Sequence, residues 1–302
     1  MKNTSRTISQ SQLEYDIRKL GVSEGDTLNI KASLGAIGRV DGGAETLINA
    51  LLSVVGDRGT IVTDSFVTCY KLPLSKKDEV KISDAKTSSY AGALANAMIN
   101  HPKAFRSSHP IQKFAAIGFR AKELMRAHTA DSYAYDVLRQ LVDTGGKNLK
   151  IGSDEKVYGV GTTHVAIGKL GHKQKRDNLG INYKDENGDV KFFKVNWSGA
   201  GHGFNKFMSK YQAAGAIVSQ GFIGFAPSKI TDMKKTYEVE LKELSANPGF
   251  QLCSNPRCVE CRLSWSFSDK SLLGFLIENI GDLSIKMFAK ALLIRFRYKF
   301  LL

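Results

Sequence analysis

Between residues 27 and 63 the chain runs strand, glycine-rich loop, helix, strand, and that succession leaves few folds open. Thr27 to Ala32 alternates apolar and polar residues, Ala44 to Val55 carries a helical repeat that stops at Gly56, and Gly59 to Thr63 reads as a second strand. So short a span for two strands and a helix is that of a βαβ unit, whose strands pair in parallel through a helical crossover. The alternation continues. Leu13, Ile17 and Leu20 sit at helical spacing ahead of Gly21, and Tyr90 to Asn100 and Arg120 to Ala127 repeat that pattern. Phe114 to Ile117, Leu149 to Gly152 and Val157 to Val160 read as short buried strands. The expected class is α/β: a mixed sheet with helices on both faces. Asn187-Gly188, between segments rich in Tyr, Phe and Val from Ile181 to Trp197, predicts an antiparallel hairpin insertion.

No repeat or proline-rich linker interrupts residues 1 to 265, so one domain is expected there. Residues 266 to 302 read as an apolar, helical C-terminal tail, where from Ser271 onward Lys286, Lys290, Arg295, Arg297 and Lys299 supply the positive charge. From residue 271 this tail suits the domain surface, an oligomer contact in a homo-oligomer, or peripheral contact with an anionic membrane. Four cysteines are too few for a disulfide framework in 302 residues, the N-terminus is polar, and no apolar run is long enough to cross a bilayer. The expected location is cytoplasmic, against the inner face of the membrane if the tail binds it. A net charge of +14 attracts anions, but no nucleic-acid-binding signature accompanies it, so nucleic acid is not an expected partner.

Three segments carry candidate chemistry. In the first, Lys31 to Gly43 (Lys31, Ser33, Leu34, Gly35, Gly38, Gly42, Gly43), a glycine loop joins a strand to a helix, where free N–H groups and the helix dipole form an anion site. It matches neither a Rossmann nor a Walker A loop. The second, Arg106-Ser107-Ser108-His109-Pro110, offers a guanidinium, two hydroxyls and an imidazole; Arg106, Ser108 and His109 could clamp a phosphate or anchor a turn. The third places His164 on the first turn of a helix after Thr162-Thr163. An imidazole titrates near neutrality, so it can relieve an attacking ammonium of its proton, or it can be structural.

In order and separation these segments resemble the aminoglycoside 3-N-acetyltransferase family. The likeness runs through Ala32-Ser33-Leu34, Gly38, Gly42-Gly43, Gly59-Thr60, the Arg-Ser-x-His-Pro segment and Phe114 to Gly118. It continues through Asp131-Ser132, Gly146-Lys147-x-Leu149, Thr162-Thr163-His164, Asn247-Pro248 and Leu252-Cys253, covering roughly residues 10 to 255. The resemblance implies an α/β fold that binds acetyl-CoA as cosubstrate and acetylates an amino group of an amino sugar, with His164 as general base and the cofactor's pantetheine and pyrophosphate near Lys31 to Gly43. Asp64 and Asp131 are the candidates to orient His164. Two positions depart from the family pattern. Ile167 stands where a glutamate commonly follows the histidine by three residues, and Lys113 stands where serine is usual. With the positive charge, the lost glutamate points towards an amino sugar that is nucleotide-linked, lipid-linked or part of a surface polysaccharide rather than a polycationic antibiotic. The alternative is a non-catalytic relative that binds a nucleotide-like or glycan ligand.

Cys253, Cys258 and Cys261 form a C-x4-C-x2-C run, and His202 is the nearest histidine in sequence. A structural zinc site takes four such ligands, and with no fourth Cys or His adjacent the expectation is unliganded thiols and no metal.

Overall fold

A computed structural model of the chain describes residues 7–153, 159–174, 178–197, 199, 201–268, 271–279, 284–285, 287–289 and 291–292. Its strands are β1 (Thr27–Ala32), β2 (Thr60–Asp64), β3 (Tyr70–Lys71), β4 (Ile82–Ser83), β5 (Phe105–Arg106), β6 (Phe114–Gly118), β7 (Lys147–Ile151), β8 (Leu179–Lys184), β9 (Val190–Lys194), β10 (Ile217–Ile223) and β11 (Ala226–Asp232). Seven form a mixed sheet in the order β10-β11-β7-β1-β2-β6-β5. The three central strands are parallel, with Thr27 opposite Thr60 and Leu28 opposite Lys147. The strands outside them run antiparallel. The βαβ reading of residues 27–63 therefore stands, and the helix between its strands spans Gly43–Val55.

Alternate residues of each central strand serve opposite faces. Ile61, Ala115 and Ile117 join Leu28, Ile30, Leu149 and Ile151 in a layer with Leu13 and Ile17 of the first helix and with the helices at Gly43–Val55 and Ala93–Asn100. Val62, Phe114 and Ala116 face the other way, onto helices Ala121–Arg126 and Asp136–Asp143 and onto Val165 of helix Thr162–Lys169. A fully buried Leu or Ile in such a layer contributes about 1.5–3 kcal/mol, so the two faces hold the sheet rigid beneath the site.

The hairpin insertion is present: β8 and β9 pair antiparallel, with Lys184 opposite Val190, and pack Ile181 and Phe193 into the second layer. β3 and β4 flank β8 in this small second sheet. Of the strand expected at residues 157–160, the first two residues lie outside the described residues and Gly159 and Val160 form no strand; the tail's Lys286, Lys290, Arg295, Arg297 and Lys299 also lie outside the described residues. In the described part of the tail, helix Leu272–Glu278 inserts Phe275 between Val259 and Leu263 and leaves Leu273 and Ile277 exposed. No described helix is long and apolar enough to cross a membrane.

Candidate active site

The carboxyl ends of parallel strands are where open α/β sheets hold ligands, because loops there splay apart at the reversal of strand order. β1 ends in Lys31 and Ala32, β2 in Asp64, and Lys31 Nζ lies 3.3 Å from the Asp64 carboxylate. Asp64 is thus engaged with Lys31 at the strand ends. From Ser33 the chain makes a short helical turn, Leu34–Ile37, and reaches helix Gly43–Val55 through Gly38 and Gly42. Gly38 has φ +110° and lies against the Phe225 ring, so the loop bends there in a way a side chain would resist. Gly42, at φ +72°, caps the helix with no side-chain hydrogen bond to its first turn. The Gly43 N–H donates to the Val40 carbonyl at 3.1 Å, and no side chain caps the rest of the first turn, where a helix dipole favours an anion.

The second segment divides. Arg106 is spent within the protein: its guanidinium donates to the Ser65 hydroxyl at 3.1 Å and to the carbonyls of Ser65 (2.7 Å), Ala85 (3.1 Å) and Thr87 (2.6 Å). Burial pulls it down to about 10. This is a strut between loops rather than an anion clamp. His109 is fully buried, accepts the Ile111 and Gln112 N–H groups on Nδ1 at 3.2 and 3.0 Å, and stacks on His128 at 4.9 Å. Burial, then His128 and Lys113, lower its pKa to about 2, so it stays neutral. A ring sealed this way holds the turn and cannot touch a cofactor, contrary to the sequence expectation. Lys113 is no surface residue either; it is buried beneath this turn, where desolvation lowers it to about 7. Ser108 is half-buried and lines a cavity of about 320 Å3 with Thr129, Asp131, Asp185, Glu186 and Lys191. Three carboxylates against one ammonium make that wall locally acidic.

The third segment carries His164. Gly161 rests on Leu138 and β1, since a Cβ there would lie 2.5 Å from Leu138 and 3.8 Å from Asn29. That sets the start of helix Thr162–Lys169 over the sheet. His164 is half-buried, with Nδ1 enclosed, and its ring lies face to face with Tyr135 at 4.1 Å and 4°. Phe204 meets it edge-on at 5.6 Å. The Tyr133 hydroxyl donates to the His164 carbonyl at 3.0 Å. The stack is tied in turn to the second segment, because Gln112 Nε2 donates to the Tyr135 hydroxyl at 2.8 Å. Ile167, by contrast, points into an apolar cluster with Phe204, Phe207 and Trp265, so the position of the family glutamate is core here.

Beneath the helix lies a carboxyl that the sequence did not mark as functional. Glu240 is fully buried and accepts from Thr163 Oγ1 at 2.6 Å and from the Tyr211 hydroxyl. Burial raises it to about 8 despite those hydrogen bonds. Its neighbour Thr236 receives the Thr162 hydroxyl at 3.1 Å, so two consecutive hydroxyls ahead of His164 are pinned to one face of helix Met233–Ala246. The only trace of this in the sequence is a glutamate among the buried positions of that helix, Met233, Thr236, Glu240 and Leu244. Tyr133 and Tyr135, close after Asp131-Ser132, carry no local sequence signal for their contacts with His164.

The Tyr135 ring and its hydroxyl do separable jobs. Tyr135→Phe keeps the face on His164 but strands the Gln112 amide, and it is expected to cost about 1–3 kcal/mol in urea denaturation while leaving kcat within a few-fold.

The chain belongs to the aminoglycoside 3-N-acetyltransferase family, whose profile matches residues 30–245. It is 31% identical over 172 residues to aminoglycoside N(3)-acetyltransferase IX of Micromonospora chalcea; the aligned stretch is 51% of this chain and spans 60% of that relative's length. Among solved structures, aminoglycoside acetyltransferase AAC(3)-Xa superposes with a TM-score of 0.68 at 25% identity over 80% of this chain and 94% of its own. AAC-IIIb, solved as a binary complex with CoASH, gives a TM-score of 0.63 at 21% identity over 80% of this chain and 97% of its own.

Proposed function

We propose that this protein transfers an acetyl group from acetyl-CoA to an amino group of an amino sugar, with His164 as general base. The observation that carries this reading is the contrast between its imidazoles. His109 and His128 are buried, with pKa values lowered to about 2 and about 4 chiefly by desolvation, whereas His164 is only partly buried and held flat against Tyr135 on a helix anchored at Thr162 and Thr163. An oriented, reachable imidazole is what amine acetylation requires. The neutral amine attacks the thioester carbon, His164 takes the ammonium proton, and the C–S bond breaks to release CoA thiolate, which is then protonated. No acyl-enzyme forms. The first turn of helix Gly43–Val55, which no side chain caps, is the support for placing the cofactor pyrophosphate, with Lys31, Ser33, Leu34, Gly35, Gly38, Gly42 and Gly43 along the approach. A relative that binds CoA with the same fold supports the same cosubstrate.

For the acceptor, Ile167 in the core and the charge of +14 favour an amino sugar that carries phosphate, as a nucleotide- or lipid-linked precursor of a surface polysaccharide does. The acidic wall of Asp131, Asp185 and Glu186 favours a second reading, a cationic aminoglycoside, the class named for the curated relative. A screen that follows CoA thiol release with both classes of acceptor separates them. Turnover of nucleotide-linked amino sugars without turnover of aminoglycosides is the expected outcome, and the reverse pattern would establish the second reading.

A further inference from the structure

Next to the segment that carries Phe204, four metal-ligating side chains converge. We infer that His202, Cys253, Cys258 and Cys261 bind a structural zinc ion. Their ligand atoms all lie within 4.8 Å of one another. A tetrahedral zinc with Zn–S of about 2.3 Å and Zn–N of about 2.0–2.1 Å has edges of about 3.5–3.8 Å, so small side-chain rotations close the four onto one ion.

The local chain explains why they meet. Cys258 caps helix Val259–Leu263 and Cys261 lies one turn inside it, which puts both sulfurs on one side of the helix start. Cys253 joins them through a turn in which Asn255 Oδ1 accepts the Arg257 N–H at 2.9 Å. The fourth ligand comes from a segment some fifty residues earlier, as the separation of 56 between His202 and Cys258 shows, and spacing alone therefore could not supply it.

Three further observations fit an ion rather than a chance crowd of thiols. His202 Nδ1 faces the Cys258 sulfur at 3.3 Å while Nε2 faces the Glu260 carboxylate at 3.5 Å. That is the second-sphere arrangement by which a carboxylate fixes the tautomer and orientation of a ligating imidazole. The backbone N–H groups of His202 and Cys253 both point at the Cys261 sulfur at 3.5 Å, donors that stabilise a thiolate. The Arg262 guanidinium bridges the Cys253 and Asn255 carbonyls beside the cluster, a cation next to what becomes a net negative centre of three thiolates, one neutral imidazole and Zn2+. A disulfide would use two of these sulfurs and leave the third thiol and the aligned histidine without a purpose. The set of three soft thiolates and one imidazole selects zinc over hard cations.

Binding displaces up to three thiol protons and leaves the cysteines reduced, so no oxidant is needed. The ion would staple residues 202–204 to 251–253. Gly203 already donates to the Gln251 carbonyl at 2.8 Å, and Phe204 beyond it packs against His164. The acetyl transfer itself uses no metal; the ion holds one wall of the site.

The test is metal analysis of the full-length chain, purified in a thiol-free reductant without a polyhistidine tag. About one zinc per chain is expected, and titration of the zinc-free protein with Co2+ should give the visible bands of a tetrahedral cobalt thiolate. Cys258→Ser and Cys253→Ser should lose the ion and the bands, while Cys69→Ser keeps both. Because the first two variants could misfold, the wild-type cobalt titration stands on its own. A reduced wild-type chain that carries no zinc and gives no cobalt bands would overturn the site, as would full zinc retention in Cys258→Ser. None of these readouts depends on acetyl transfer, so the metal site and the proposed activity can fail separately.

Discussion

Replacing His164 with alanine is expected to lower kcat for acetyl transfer by about 10²–10⁴-fold, the range that a positioned acid–base group supplies. The loss should fall on kcat because the imidazole acts on the proton released in the transition state, while the cofactor's phosphates are expected on the Gly38–Gly43 loop. KM for acetyl-CoA should therefore change little. Folding should survive, since His164 is only partly buried and its removal empties one side of a stack with Tyr135 rather than a fully buried core site. Stopped assays of CoA thiol release, with circular dichroism to check the fold, decide it. A variant that keeps wild-type turnover would move the base elsewhere.

The second large effect is on stability, at Glu240. Its folded-state pKa of about 8 lies above the ordinary 4.5, so between those values the unfolded chain has released a proton that the native protein still holds. Stability contributed by this carboxyl is full below about pH 4.5 and is lost as pH rises towards 8, at about 1.4 kcal/mol per pH unit. Glu240→Gln keeps an oxygen to accept from Thr163 and Tyr211 but cannot ionise. The difference in unfolding free energy between wild type and Glu240→Gln should therefore slope downward with pH across that window and flatten above it. His109 and His128, whose lowered pKa values act the opposite way below about pH 6.5, cancel in the difference. A difference that stays flat from pH 5 to 8 would show that Glu240 is ionised in the native protein throughout.

Local patterns told most of the framework. The stop at Gly21, the βαβ unit of residues 27–63 and the Asn187-Gly188 hairpin are each set by a few neighbouring residues, and each is present. The β10–β11 hairpin was not read, because Pro227 and the scattered polar residues of Ile217–Ile223 blur its alternation, and the pairing that fixes β11 is with distant β7. For the site, position along the chain showed which residues could be reactive but not which were reachable. Arg106 and His109 have the right chemistry, yet the carbonyls of Ser65, Ala85 and Thr87 take up the first, and His128 with the aromatic rings around it seals the second. Tyr135, Phe204 and Glu240 reach the helix of His164 from remote segments. The same holds for His202, whose three sulfur partners lie beyond the reach of any local motif.

The position of bound CoA tests the proposed chemistry most directly. A crystal structure with CoA should show the pyrophosphate at the first turn of helix Gly43–Val55 and the thiol close enough to His164 for a single amine to bridge them. A cofactor bound elsewhere, with its sulfur out of reach of that imidazole, would contradict it.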